Sequence, residues 1–154
     1  MFHKAINLSF KEGTVVEVTF QNGIVKEYDM SRLAKKYPQL AQLNNRELFL
    51  SGHLAGYYGI IWNDEIDIET ETIYEDGVTV RTEKMSANMM VGYTVYQARA
   101  NKGFSQSELS NATGIDQSDI SKIERGIANP SIGTLNRIAE ALDTELIVSF
   151  QNKE

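Results

Sequence analysis

The sequence predicts an α+β protein in two parts: a small N-terminal domain of antiparallel strands with a short helix, and a C-terminal all-α bundle that ends in a β-strand. Two observations predict this division. Apolar residues alternate with polar ones before about residue 85, as in half-buried strands, and recur at helical spacing after it. Glycines and helix-capping serines then divide the second half into short helices. We therefore predict one domain over residues 1–80 and another over 86–154.

The composition excludes several classes of function. With 42% hydrophobic and 23% charged residues in 154, the chain has an ordinary globular composition. No apolar run approaches the about 20 residues that span a bilayer, and no secretory signal opens the chain, so we expect a cytoplasmic protein that does not bind membranes. The absence of cysteine removes thiol nucleophiles, disulfides and cysteine-based zinc sites. A net charge of −6 argues against nonspecific coating of nucleic acids but permits specific DNA binding through a local basic face.

The first predicted elements are a hairpin and a short helix. Residues 14–29 form two alternating runs around Asn22-Gly23, a strong signal for a two-residue hairpin turn. Ser31 is the predicted N-cap of a helix that ends before Pro38.

A second hairpin is predicted from residues 47–54 and 57–62, which are rich in strand-forming residues. Its aromatic residues could line a ligand pocket, but we expect them in the core. They are Tyr57, Tyr58 and Trp62, with Tyr74 further along the chain. Residues 78–84 predict a weak strand or a linker.

An acidic series follows the second hairpin: Asp64, Glu65, Asp67, Glu69 and Glu71. The last four alternate with isoleucine and threonine, which predicts that they share one face of a strand. That face could hold a divalent cation or bind a basic partner such as a ribonuclease toxin. We favour a solvated face or a charge-protected sheet edge. His53 has no second imidazole or cysteine at ligand spacing, so we interpret it as an ordinary strand residue.

Four helices are predicted after residue 85, over 86–101, 105–113, 117–125 and 131–142. Ser105 and Glu108 form a capping box at the start of the second, while Asp116 and Ser131 are the predicted caps of the third and fourth. Residues 145–150 (ELIVSF) predict a terminal strand.

The second and third helices are separated by three residues, which is the spacing of a helix-turn-helix. Gln117, Ser118, Ser121 and Lys122 fall on the outward face of the third helix. Glutamine can pair with adenine, lysine with guanine, and serine with bases or phosphates, so these side chains suit a DNA major groove.

Residues 88–143 resemble the Cro/CI (XRE) type of helix-turn-helix repressor. The matching strings are 104–109 (FSQSEL), 114–115 (GI), 120–126 (ISKIERG), 129–131 (NPS), 134–135 (TL), 138–139 (IA) and 141–142 (AL). The resemblance implies that the helix from Gln117 is the recognition helix. It also implies that Gln106 binds a phosphate, that Gln117, Ser118 and Lys122 contact DNA, and that Arg99 and Glu124 form a structural salt bridge. The sequence departs from the family at Ser110, where alanine is usual, and in its few basic residues.

The N-terminal half looks like small bacterial α+β domains of unknown function that are fused to such modules or encoded beside putative toxins. The strings that carry this likeness are 16–20 (VEVTF), 22–23 (NG), 28–33 (YDMSRL), 61–62 (IW) and 64–68 (DEIDI). The terminal strand also resembles that of antitoxins of the repressor class, in which such a strand helps to form the dimer.

The resulting hypothesis is a sequence-specific DNA-binding transcriptional regulator, a dimeric autorepressor without enzymatic activity, cofactor or metal. Residues 85–154 hold six Lys and Arg against eight Asp and Glu, so we expect weak binding by a monomer and a need for two half-sites. One alternative is an antitoxin whose N-terminal domain binds a basic toxin. Another is a small-molecule or metal sensor, or a small enzyme, built on that domain.

Overall fold

The computed structural model describes residues 2–153, which form two compact units, 2–85 and 86–153. Within the described residues, no helix combines the length and apolar character needed to cross a membrane.

The strands of the N-terminal unit are β1 (Ala5–Phe10), β2 (Val15–Phe20), β3 (Ile24–Asp29), β4 (His53–Ala55), β5 (Gly59–Asn63), β6 (Ile66–Glu69) and β7 (Val78–Thr82). Its helices are α1 (Ser31–Ala34), a 3₁₀ helix (Pro38–Asn44), α2 (Arg46–Leu50) and α3 (Thr70–Asp76).

Two antiparallel sheets form this unit, with strand orders β1-β2-β3-β7 and β4-β5-β6. The predicted hairpin over residues 14–29 is confirmed as β2 and β3. Gly23 has a φ of 90°, and the Asn22 side chain accepts a hydrogen bond from the amide of Ile24, so the turn uses the residue types that predicted it. Residues 78–82 are also confirmed as a strand, which pairs with β3.

Several local predictions for this unit are wrong. Residues 46–50 form a helix rather than a strand, because the Asn45 side chain caps it by accepting a hydrogen bond from the Leu48 amide. Ser31 lies inside α1, whose N-cap is Met30, and the helix ends at Ala34 before a 3₁₀ helix that the sequence did not predict. The predicted hairpin that carries Trp62 is confirmed by the pairing of β4 with β5. Its strands are His53–Ala55 and Gly59–Asn63, rather than 47–54 and 57–62.

The acidic series does not occupy one strand face. Asp67 and Glu69 are exposed on β6, but Glu65 lies in a turn where its amide donates to the Asn63 side chain. Glu71 lies in α3 and accepts hydrogen bonds from the amide of His3 and from its Nδ1, each at 2.8 Å. The carboxylates that suggested a cation site or a basic partner therefore lie in three different places: a turn, β6 and α3.

The core of this unit lies between the sheets and the helices, with Val16, Val18 and Phe20 of β2 fully buried. Trp62 is in the core as predicted, and its Nε1 donates to the carbonyl oxygen of Phe49 at 2.8 Å. Tyr58, in contrast, is exposed. It precedes β5 in the β4–β5 connection rather than lying in a strand.

The C-terminal unit contains α4 (Ala87–Lys102), α5 (Gln106–Thr113), α6 (Gln117–Glu124) and α7 (Ile132–Ala141). All four predicted helices are confirmed, including the capping box formed by Ser105 and Glu108. Their buried core residues are Val95, Leu109, Ile120, Ile123, Ile138 and Leu142.

Two details of this unit differ from prediction. Asp116 is the N-cap of α6, but its side chain makes no capping hydrogen bond. Residues 145–150 are not a strand in the single described chain, because no neighbouring segment pairs with their backbone.

Candidate DNA-binding surface

The helices α5 and α6 are joined by residues 114–116. Gly114 ends α5 with a φ of 73°, a conformation that glycine adopts without steric cost and that turns the chain sharply. Ile115 then packs against the core of the unit. This short connection fixes α6 against α5 and leaves one side of α6 free of the core.

The two faces of α6 differ in burial and chemistry. Ile120, Ile123 and Glu124 are buried. The predicted DNA-binding residues of α6 lie elsewhere on the helix: Gln117, Ser118 and Lys122 are exposed and Ser121 is half-buried. The structure therefore brings these four polar side chains together on the outer part of one helix.

Arg125 belongs to the same exposed face, although it was not among the DNA-binding residues predicted from the sequence. At 100° per residue, Ser118, Lys122 and Arg125 lie within about 60° of one another around the helix, and all three are exposed. The spacing of four and then three residues from Ser118 was the signal that could have found it. Arg125 donates through Nε to the Ser121 carbonyl oxygen at 3.3 Å.

An ion pair holds the inner side of α6. Nε and Nη2 of Arg99 donate to the two carboxylate oxygens of Glu124, each at 2.8 Å. The Glu124 side chain is 0% exposed and that of Arg99 13%. Arg99 also donates through Nη1 to the Phe104 carbonyl oxygen at 2.7 Å, so one guanidinium ties α4 to the last turn of α6 and to the segment before α5.

Gln106 is the first residue of α5 and is half-buried beside the Ser105 cap. A helix N-terminus presents backbone amides and a partial positive charge, which favour an anion such as a phosphate. Ser131 caps α7 in the same way, with its hydroxyl accepting from the Thr134 amide at 3.1 Å.

The charges around α6 are mixed. Lys122 and Arg125 are exposed on its outer face, and Asp116 and Asp119 are exposed in or before its first turn. Residues 2–153 contain no cluster of three side chains suited to a metal ion.

This geometry, two short helices at a tight turn with a polar second helix, is that of a helix-turn-helix domain. A model of the helix-turn-helix family matches residues 95–148, and a model described as protein of unknown function (DUF2442) matches residues 5–79. The chain belongs to the helix-turn-helix family of HTH-type transcriptional regulators, as the XRE-type resemblance of its C-terminal half predicted.

Two similar proteins come from Sinorhizobium fredii. The uncharacterized HTH-type transcriptional regulator y4dL is 46% identical over 52 residues, which are 34% of this chain and 26% of y4dL. The uncharacterized regulator y4dJ is 36% identical over 58 residues, which are 38% of this chain and 75% of y4dJ.

A crystal structure of SinR, described as the master regulator for biofilm formation in complex with DNA, is also similar. The two sequences are 40% identical over the matched region, which covers 36% of this chain and 90% of the SinR chain. The TM-score is 0.35. The chain spans 26% of the length of y4dL and 60% of SinR from Bacillus licheniformis.

Proposed function

We propose that this protein binds duplex DNA with sequence preference and regulates transcription by occupying its site. The observation that carries the proposal is the outer face of α6, where exposed polar side chains stand on a helix anchored by the buried Arg99–Glu124 pair. Inserted into a major groove, α6 places Gln117, Ser118 and Lys122 at base edges, with Ser121 beside them. The N-terminus of α5 brings Gln106 to a phosphate.

We further propose that the protein acts as a dimer. Few cations are available to neutralise phosphates, so one unit binds weakly, and two recognition helices about 34 Å apart would read two half-sites of a pseudo-palindrome. Residues 145–150 offer a contact for the second copy, because Ile147 is 77% and Phe150 100% exposed on a segment without a strand partner. Because a DNA-binding regulator acts on DNA inside the cell, we propose that it is cytoplasmic and has no catalytic role.

The test is fluorescence anisotropy of the full chain with duplex DNA from its own upstream region, and with scrambled DNA, at several salt concentrations. We expect tighter binding to the upstream DNA and weakening with salt. Lys122→Ala should weaken binding to the upstream DNA, because it removes a cation and a base contact. Lys35→Ala is the matched control, since it makes the same change in net charge at an exposed position of the N-terminal unit. Equal affinity for both DNAs in the wild type would refute the proposal.

The dimer is tested separately by sedimentation equilibrium. Ile147→Asp should shift the protein towards monomer, because it places a charge in the proposed contact. Val78→Asp introduces the same charge at an exposed apolar position of the N-terminal unit and should leave the mass unchanged. A monomeric wild type, or a dimer that Ile147→Asp leaves intact, contradicts this contact.

A further inference from the structure

The start of α6 is held differently from the starts of its neighbours. In the described C-terminal unit, Ser86, Ser105 and Ser131 cap α4, α5 and α7 through their own side chains. Asp116 occupies the same position at α6, but its carboxylate accepts no capping hydrogen bond. The end of α6 proposed to enter the groove therefore lacks the local anchor that each of the other three helices has.

Two hydroxyl groups on α5 supply an anchor from outside the helix. Ser110 Oγ donates to the carbonyl oxygen of Ile115 at 2.6 Å. Thr113 Oγ1 accepts from the amide of Ile115 at 3.2 Å and donates to the Leu109 carbonyl oxygen at 2.7 Å. Both backbone polar groups of the central turn residue are thus bonded to side chains of the preceding helix.

These bonds restrain the direction of α6. Thr113 is buried and Ser110 half-buried, so water competes little for their hydroxyls. Bonds to the N–H and the C=O of Ile115 hold the peptide planes on both sides of that residue, and its half-buried side chain packs against the core. Rotation of the turn, which would swing the first turn of α6, must break at least one of these contacts. A recognition side chain loses its contacts when displaced by more than about 0.5 Å or 10–20°.

We propose that Ser110 and Thr113 are positioning residues that set the angle at which α6 meets DNA. The inference rests on the proposed DNA-binding function and adds to it the residues that orient the reading helix.

The variants Ser110→Ala and Thr113→Val remove one hydroxyl each with little change in volume. Thr94→Val is the matched control: the Thr94 hydroxyl donates to Met90 four residues earlier in α4, as that of Thr113 does to Leu109 in α5, and it does not contact the turn. Anisotropy of the full-length proteins is measured with upstream and scrambled DNA. In parallel, amide hydrogen exchange is followed for residues 115–119 and for α4.

Each turn variant should lose about fivefold in affinity for the upstream DNA, the factor that corresponds to one hydrogen bond of about 1 kcal/mol. Binding to scrambled DNA should change by less than about twofold, because phosphate contacts tolerate a small rotation. Exchange at residues 115–119 should accelerate by a similar factor, and Thr94→Val should leave all of these quantities unchanged.

An unaltered ratio of the two affinities in both turn variants would overturn the positioning role. So would equal losses on both DNAs that track a lower melting temperature, since these would show a purely structural effect. A wild type without preference for the upstream DNA would refute the proposed function and the positioning role together. A wild-type preference that neither substitution reduces would refute the positioning role alone.

Discussion

Replacing Arg99 with methionine tests the anchor on the inner side of α6. The substitution keeps much of the side-chain volume but leaves the Glu124 carboxylate, 0% exposed, without its two hydrogen bonds of 2.8 Å. Removing one partner of a buried ion pair costs about 3–5 kcal/mol, because the remaining charge stays out of water. Since a domain is stable by about 5–15 kcal/mol, we expect a large fraction of the stability of the helical unit to be lost.

The double variant Arg99→Met with Glu124→Met separates charge burial from packing. It removes both ions from the interior and should recover most of the loss, since buried pairs replaced by apolar residues are often neutral. Unfolding in urea is followed by circular dichroism at 222 nm for the helices. Fluorescence of Trp62, the single tryptophan, identifies the transition of the N-terminal unit. A loss below about 1 kcal/mol in the single variant, or no recovery in the double one, would refute this reasoning.

Three further predictions concern single positions. Bonding to Arg81 lowers the pKa of the Glu17 carboxyl to about 2, from an ordinary 4.5, so Glu17 stabilises the fold above pH 4.5. This contribution is lost as the pH falls towards 2. The difference in unfolding free energy between wild type and Glu17→Gln, measured in urea, should therefore vanish near pH 2. A difference that stays constant with pH would contradict this prediction. Gly92→Ala should destabilise the helical unit by about 1–3 kcal/mol, because the new Cβ would lie 2.3 Å from a backbone oxygen of α6; an unchanged melting curve contradicts this. Gly52→Ala would place a Cβ 2.4 Å from Nε1 of Trp62 and should shift its emission, whereas an identical spectrum would mean that the ring does not move.

The helices of the C-terminal unit were predictable because the residues that begin and end them act on backbone groups close by in the sequence. Ser105, Ser131 and Gly114 each act within one turn of their own position, and the structure has these caps where the sequence predicted them. The exposed face of α6 followed from the same periodicity, although Arg125 was overlooked.

The N-terminal unit was less predictable because its short elements depend on distant partners. Residues 46–50 contain an apolar run that suits a strand or a buried helix equally, and the Asn45 cap decides between them. The strand β1 was overlooked, although Ile6, Leu8 and Phe10 alternate with polar residues; its pairing with β2 identifies it. The hydrogen bonds that join Ser110 and Thr113 to Ile115 span only two to five residues, but they depend on the backbone path of the turn, which the sequence pattern did not specify.

The position of β7 in the first sheet determines where the chain can be cut to give a fragment that holds the whole sheet. This strand pairs with β3 across an intervening stretch of nearly fifty residues, and its pairs Ile24–Thr82 and Val25–Arg81 are the last to be synthesised. A fragment cut at residue 79, where the family match ends, would lose both pairs and the Arg81 partner of Glu17, and would expose the edge of β3. The sheet can be complete only once Thr82 has been synthesised, so every strand of the N-terminal unit precedes the first helix of the C-terminal unit in the chain.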